Sequence, residues 1–173
     1  ATRFAEMNEA AHDVKFQPAK TKQQVNRWIL TELSKATDEV TDNIEKYRFN
    51  DAAAASYRFV WNTFCDWYLE LLKPVFNGED EVAKAETRAT AAWALDQILI
   101  MLHPMMPFVT EELWAETGKF GPARDGMLIT TEWPDLSGLE DAAADAELAV
   151  DRRVFVFTAI RREGQPGVHL EGE

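Results

Sequence analysis

Histidine, cysteine and converging carboxylates are the usual side chains for acid–base, nucleophilic or metal chemistry, and this chain offers few of them in a useful arrangement. Its three histidines, at positions 12, 103 and 169, are scattered, and the two Glu-x-x-His pairs that a di-iron helical bundle requires are not present. A glycine-rich phosphate loop, a Cys/His zinc pattern and a nucleophile elbow are also absent. We therefore expect no catalytic residue, no metal site and no cofactor in this chain.

Aromatic residues interleaved with cations offer a different chemistry, the stacking and clamping of unpaired RNA bases. They occur at Arg27-Trp28, at Tyr47-Arg48-Phe49, and where Arg58 lies near Trp61. Packing in a hydrophobic core is the ordinary role of such aromatic residues, so their sequence alone leaves both roles open.

The distribution of charge qualifies the net value of −12, which taken alone argues against a nucleic-acid partner. Residues 1–35 carry six Lys/Arg against four Asp/Glu, whereas residues 132–151 carry seven Asp/Glu and no Lys/Arg. The acidic excess is therefore partly segregated, and a local basic patch near the beginning of the chain is compatible with the sequence.

The stretch from Phe49 to Lys73 contains several of these residues, and its helical pattern is apolar nearly all round. Its period predicts one buried row of Tyr57, Val60, Phe64, Trp67 and Leu71, and a second of Trp61, Cys65, Tyr68 and Leu72. The polar strip is narrow, with Arg58, Asn62, Asp66, Glu70 and Lys73. Such a helix is expected at the centre of a bundle, and Pro74 is expected to close it.

The other helical patterns complete an all-α bundle of four to five main helices with a short corner helix. We expect helices over residues 21–47, 80–103 and 140–162, with Asn50 as the N-cap of the central helix and Asp80 as the N-cap of the next. A short corner helix should begin at Pro107 and stop at Gly118. Residues 119–141 read as irregular, with a short extended strand in MLITTEW. The predicted domain is 1–163, followed by a tail at 164–173.

The expected cellular compartment of the protein follows from its cysteine content and from the lack of a long apolar segment. The single cysteine, Cys65, excludes a disulfide within one chain and favours a reducing compartment. The opening residues lack the apolar core of a signal peptide, and the most apolar region is interrupted by Asp96, Gln97, His103 and Pro104. We expect a cytoplasmic protein without a membrane-spanning segment.

Four motifs, in this order and spacing, closely resemble the helical anticodon-binding domain of valyl-tRNA synthetases. They are NRWIL (26–30), YRFNDAA (47–53), FVWNTFCDWYLELLKP (59–74) and LHPMMPFVTEELW (102–114). The resemblance covers roughly residues 1–150 and departs in the last segment, which lacks the longer basic helix of the family. It implies the fold of a class I aminoacyl-tRNA synthetase anticodon-binding domain.

The same resemblance implies the function and the partners. The domain would bind the anticodon region of tRNA(Val) and position it for the ATP-dependent valylation that the family's catalytic domain performs. The family's His-Ile-Gly-His-type and Lys-Met-Ser-Lys-Ser-type signatures are absent, which implies an inactive fragment whose parent uses ATP and whose catalytic domain is a second partner. We expect a monomer.

Cations and polar residues on the expected surface are the candidates for tRNA contact. Lys20, Lys22 and Arg27 are assigned to phosphates, and Arg58, Asn62, Lys73 and Arg88 to the anticodon loop. Solvated cations or ion pairs along a helix face are the competing interpretation of each. The alternative function is a structural or protein-interaction bundle without RNA binding.

Overall fold

The computed structural model describes residues 1–148, except residues 12, 14, 120, 123, 125, 145 and 147. Throughout this part of the chain the secondary structure is helical, with no strand, which confirms the predicted all-α class. The domain boundary at 163, the tail at 164–173 and most of the predicted last helix lie outside the described residues. No helix in the described part is long and apolar enough to cross a membrane.

The bundle is built on an antiparallel hairpin of two long helical elements. A short helix α1 (Thr2–Met7) and a 3-10 turn (Pro18–Lys20) precede α2, which spans Gln24–Glu45. The second arm, here called the long arm, is continuous over three segments: α3 (Phe49–Tyr57), a π-helical segment (Arg58–Tyr68) and α4 (Leu69–Asn77). Hydrogen bonds from Arg58 to Glu39 and from Tyr68 to Asn26 show that the two arms run in opposite directions.

The hairpin turns at Tyr47, which has a left-handed backbone with a φ of 58°. The backbone N–H of Arg48 donates to the carbonyl of Asn43 at 2.8 Å, the bond that ends a helix in a Schellman motif. Glycine normally occupies this left-handed position, and its absence concealed the turn in the sequence. The prediction of Asn50 as N-cap is wrong, because α3 already begins at Phe49.

The π-helical segment changes which side chains of the long arm are buried. Its wider turn repeats in steps of four and five residues, so Phe59, Phe64, Tyr68 and Leu72 form the buried row. Tyr57 and Trp61, which the 3.6-residue period placed in the core, are instead 62% and 56% exposed. The prediction of an arm buried nearly all round is therefore wrong on this side.

The helix continues through Pro74 to Asn77, whereas the sequence predicted that Pro74 would close it. Proline removes one backbone hydrogen bond but does not abolish a helix that tertiary contacts support. Phe76, beyond the proline, lies 6.0 Å from the ring of Phe4 in α1 and 6.0 Å from the guanidinium of Arg88. These contacts stabilise the last turn.

Two further helices close the bundle, as predicted. The helix α5 (Glu81–Leu102) begins at Asp80, whose carboxylate accepts the N–H groups of Val82 and Ala83 at 3.0 Å, which confirms the predicted cap. The corner helix α6 (Pro107–Thr117) begins at a proline and ends at Gly118, also as predicted. The strand expected in MLITTEW is wrong, because Leu128–Thr130 forms a 3-10 turn.

Glu111 of α6 explains that turn. Its carboxylate accepts the N–H groups of Leu128 and Ile129 at 2.9 and 3.3 Å, so these groups are not available for strand pairing. The turn is thereby fixed against α6, and Leu128 packs with Leu99 and Ile100 in a small satellite core.

Candidate nucleic-acid interface

A buried polar network fixes the loop that leads into α2. Asn26, fully buried, accepts a hydrogen bond from the hydroxyl of Tyr68 at 2.9 Å. Its amide group donates to Glu86 at 3.2 Å and to Thr87 at 3.0 Å. The network therefore joins α2, the π-helical segment and α5 at one point inside the bundle.

Glu86 carries this network to the surface. Its carboxylate accepts the backbone N–H of Gln23 at 2.7 Å and that of Lys22 at 3.1 Å. These N–H groups flank the beginning of α2, where a negative charge is favourable to the helix dipole. Complete burial and then the charge of Glu86 raise the pKa of Tyr68 well above its ordinary value, so the phenol remains a donor. The hydrogen bonds to Glu86 hold the backbone at Lys22 and Gln23 in place.

The loop at residues 15–22, here called the basic loop, exposes cations that have no acidic partner. Among the described residues, four Lys or Arg side chains form no ion pair or hydrogen bond: Arg3, Lys15, Lys20 and Lys22. The described cations that follow them in the sequence all have a partner. Unpaired positive charge is thus concentrated at the beginning of the chain. Lys15 and Lys20 line a surface groove of about 350 Å³ together with two carboxylates, those of Asp13 and Glu86.

Arg27 and Arg88, two of the candidate cations, are engaged within the protein. Arg27 forms an ion pair of 2.9 Å with Asp141, and Arg88 donates from Nε to the carbonyl of Asn8 at 2.9 Å. The N–H of Ala144, followed by the charge of Arg27, holds the pKa of Asp141 below its usual value. Both arginines fasten neighbouring segments to the bundle, and their role in RNA contact stays a prediction.

Arg58, Asn62 and Lys73 lie along the second arm of the hairpin and do not join the basic loop in one cluster. Arg58 pairs with Glu39 of α2 at 2.6 Å, and Lys73 pairs with Glu70 one turn before it at 2.6 Å. Asn62 is exposed and lines a groove of about 310 Å³ between α2 and the π-helical segment. The seven candidates therefore occupy separate places, and their contact with RNA stays a prediction.

Aromatic residues beside the cations divide into a buried and an exposed class. Trp28 is completely buried in the core, as ordinary packing predicts. Four others are exposed over more than half of their surface: Tyr47, Phe49, Tyr57 and Trp61. The rings of Tyr57 and Trp61 are parallel within 5°, with their centroids 6.3 Å apart. These exposed rings can meet an external ligand without any rearrangement of the core.

Sequence reasoning missed the residues that hold the basic loop, namely Asn26, Tyr68 and Glu86. A signal for one of them was present, because Asn26 is a polar residue within the otherwise apolar buried pattern of NRWIL. Buried amides need hydrogen-bond partners, and such a position indicates a network even when its partners are distant in sequence.

The bundle, with its corner helix α6, a fixed basic loop and exposed aromatic rings, is a helical domain suited to contact with RNA. The sequence matches the family described as "Anticodon-binding domain of tRNA ligase" over residues 26–163. The chain belongs to this family of anticodon-binding domains of tRNA ligases.

Whole-protein relatives agree with the family. The chain is 60% identical to the valine–tRNA ligase of Brucella suis biovar 1 (strain 1330) over 152 residues, which are 87% of this chain and 17% of that protein. It is 58% identical to the valine–tRNA ligase of Caulobacter vibrioides over an alignment of 180 positions, which covers 99% of this chain and 20% of that protein. The resemblance found in the motifs is thereby confirmed, and the chain spans a fifth or less of these relatives.

Proposed function

We propose that this domain binds the anticodon region of tRNA(Val) and positions the tRNA for a ligase that attaches valine elsewhere in a longer chain. The observation that carries the proposal is the match to the anticodon-binding domain over residues 26–163, together with relatives that are valine–tRNA ligases. ATP and the catalytic domain would belong to the parent protein, with this domain acting as a monomeric unit in the cytoplasm.

The basic loop supports the proposal with a physical mechanism. Its lysines have no acidic partner in the described part of the chain, so they meet a phosphate without first breaking an ion pair. The carboxylate of Glu86 holds the backbone at Lys22, which reduces the conformational entropy lost on binding. Phosphate contacts of this kind set the position and the salt dependence of RNA binding, whereas base contacts set its specificity.

A titration with labelled tRNA tests the proposal. The chain is titrated against tRNA(Val) and against the same tRNA carrying a different anticodon, at several salt concentrations. We expect tighter binding to the native anticodon and an affinity that falls as salt rises, because phosphate contacts release counterions. Equal affinity for the two tRNAs at moderate salt contradicts anticodon recognition by this domain.

The protein-interaction alternative is favoured by one surface, the proline corner. Met106, Phe108, Val109, Met127 and Ile129 are all exposed there, with Phe108 at 90%. The sequence contains no Lys or Arg between Arg88 and Lys119, so helix α6 adds no positive charge that would attract RNA to this surface. In a longer ligase chain this corner would contact another domain, such as the catalytic one. Size-exclusion chromatography with and without tRNA distinguishes the alternatives, because a purely structural bundle forms no complex with tRNA.

A further inference from the structure

An exposed pair of parallel rings lies on the outer side of the long arm. Phe49, Ala53, Tyr57 and Trp61 follow one another in steps of four residues, and all are exposed. The last two form the pair that is parallel within 5°. The π-helical segment begins at Arg58, so the change of register falls within this pair and directs Trp61 to the surface. Tyr57 and Trp61 are here called the ring pair.

A polar groove runs beside the ring pair. Arg58 and Asn62 immediately follow the two rings in sequence and form the neighbouring row of the helix, where they line the groove of about 310 Å³. Across the groove, Glu39 of α2 holds Arg58 in the ion pair of 2.6 Å. The site therefore combines flat apolar rings with an amide, a guanidinium and a carboxylate, which donate and accept hydrogen bonds.

We propose that the ring pair is a stacking site for an unpaired base of the bound tRNA, with the polar edge of that base directed to Asn62 and Arg58 in the groove. This inference rests on the proposed function, since it assumes that RNA is the ligand. Every base has a flat aromatic face, and RNA-binding proteins commonly stack unpaired bases on Tyr and Trp while reading their edges with polar side chains.

Mixed chemistry favours a base over an apolar protein segment at this place. The groove beside the ring pair carries balanced charges, Lys35 and Arg58 against Glu32 and Glu39, whereas the exposed corner around Phe108 is mainly apolar. The described groove is also polar, with Asn62 and Thr63 opposite Glu39. A base satisfies both kinds of surface at once, because its face is apolar and its edge is polar.

Two RNA probes and four proteins test the inference. The probes are a stem-loop with the anticodon-loop sequence of tRNA(Val) and a fully paired RNA duplex of the same length. The proteins are the unchanged chain, Trp61→Ala, Trp61→Phe and Phe108→Ala. The last variant is the matched control, because Phe108 is an aromatic residue that is 90% exposed on a helix without Lys or Arg. Circular dichroism and thermal unfolding establish that each variant is folded.

We expect Trp61→Ala to weaken binding of the stem-loop about tenfold, in keeping with the loss of one stacked base. The dependence of affinity on salt should not change, because no phosphate contact is removed. Trp61→Phe should retain most of the affinity, Phe108→Ala should bind as the unchanged chain does, and duplex binding should be indifferent to Trp61.

Four results would overturn the inference, and they separate it from the proposed function. Stem-loop affinity unchanged in Trp61→Ala, with tRNA(Val) still preferred, rejects the stacking site and leaves the proposed function intact. Equal weakening of stem-loop and duplex rejects recognition of an unpaired base. A chain that binds no RNA at all rejects both, and self-association lost only in Trp61→Ala would assign the ring pair to a protein contact.

Discussion

The basic loop and the outer side of the long arm expose different kinds of side chain for contact with RNA. At the basic loop, Lys15, Lys20 and Lys22 have no acidic partner in the described part of the chain, and a carboxylate from α5 holds the backbone instead. On the long arm the cations are already paired, Arg58 with Glu39 and Lys73 with Glu70, whereas aromatic rings are exposed.

The difference indicates that two separate regions of the bundle make different kinds of contact with RNA. Free cations attract phosphates at long range without regard to sequence, and rings beside polar groups contact bases at short range. Gln24 at the start of α2 and Lys35 are separated by about 17 Å along the helix at 1.5 Å per residue, so the groove lined by Lys35 is within the span of a folded RNA loop and its stem. A chain with a net charge of −12 can thus bind RNA through the local placement of a few cations.

The largest expected effect concerns the register that exposes the rings. Phe64→Ala should lower the free energy of unfolding by about 3–5 kcal/mol, because it leaves a cavity at a fully buried position. Trp61→Ala should lower it by less than about 1 kcal/mol, because more than half of that side chain is already in solvent. Trp67→Ala, at a half-buried position, should fall between them. Urea unfolding of the three variants measures the order, and a Trp61→Ala value as large as that of Phe64→Ala contradicts the π-helical register.

The same segment shows how far the fold follows from the sequence. Helices with strong local signals were predicted correctly, including the cap at Asp80 and the limits of the corner helix at Pro107 and Gly118. These signals act within one turn of the chain, so a sequence reveals them directly. The π-helical register and the left-handed Tyr47 were missed, because both depend on how the hairpin packs and neither has a local residue signal such as glycine.

The second effect tests the cations of the basic loop. Lys20→Ala combined with Lys22→Ala should weaken tRNA binding roughly 25-fold at about 0.1 M salt, and should reduce the slope of log affinity against log salt by about 1.4. The physical reason is the loss of two phosphate contacts. Filter binding across a salt series measures both values.

Lys119→Ala is the control for charge, since Lys119 is an exposed cation near the proline corner and pairs with Glu116. If this variant reduces affinity and slope as strongly per charge as the loop variant does, the basic loop has no special place in RNA binding.

For the candidate residues, the sequence predicted which side chains are exposed but not which partners they have, and their contact with RNA stays a prediction. Lys20, Lys22, Arg58 and Asn62 are exposed, as a polar strip or a loop predicts. The pairing of Arg27 with Asp141, 114 positions further along the chain, depends on the tertiary fold. The local pattern of polar and apolar residues predicts which side chains are exposed to solvent. Which charges are neutralised by ion pairs depends on the folded bundle.

A third effect uses pH to separate Arg27 from the basic loop. The N–H of Ala144 and then the charge of Arg27 lower the pKa of Asp141 in the folded chain from the usual value of 3.8. A lowered pKa stabilises the fold at pH values above 3.8, and this contribution disappears as the pH falls through the lowered pKa. Asp141→Asn should therefore reduce stability at pH 6 and leave it unchanged at about pH 2, as measured by urea unfolding.

The same variant releases Arg27, and it should raise tRNA affinity by up to about fivefold at 0.1 M salt, the value of one added phosphate contact. Asp135→Asn is the matched control, because Asp135 accepts the N–H of Ser137 and forms no ion pair in the described part of the chain. An equal gain from both variants would mean that only the net charge changed, and that Arg27 remains a structural residue.

The smallest expected effect concerns the ion pair of Arg58 on the long arm, which keeps this cation from contacting RNA. Glu39→Gln should change the free energy of unfolding by no more than about 1 kcal/mol, because both side chains of the ion pair are half exposed. Arg58 then becomes free to meet RNA beside Tyr57 and Trp61, and affinity for the stem-loop should rise by a few-fold, up to about fivefold at 0.1 M salt. Glu112→Gln, an exposed position on α6, removes the same charge at a distance from the rings. A gain in RNA affinity confined to Glu39→Gln means that the long arm acquires a free cation at the ring pair. The same gain in affinity in both variants means that RNA binding responds only to total charge, which contradicts different contacts at the two regions.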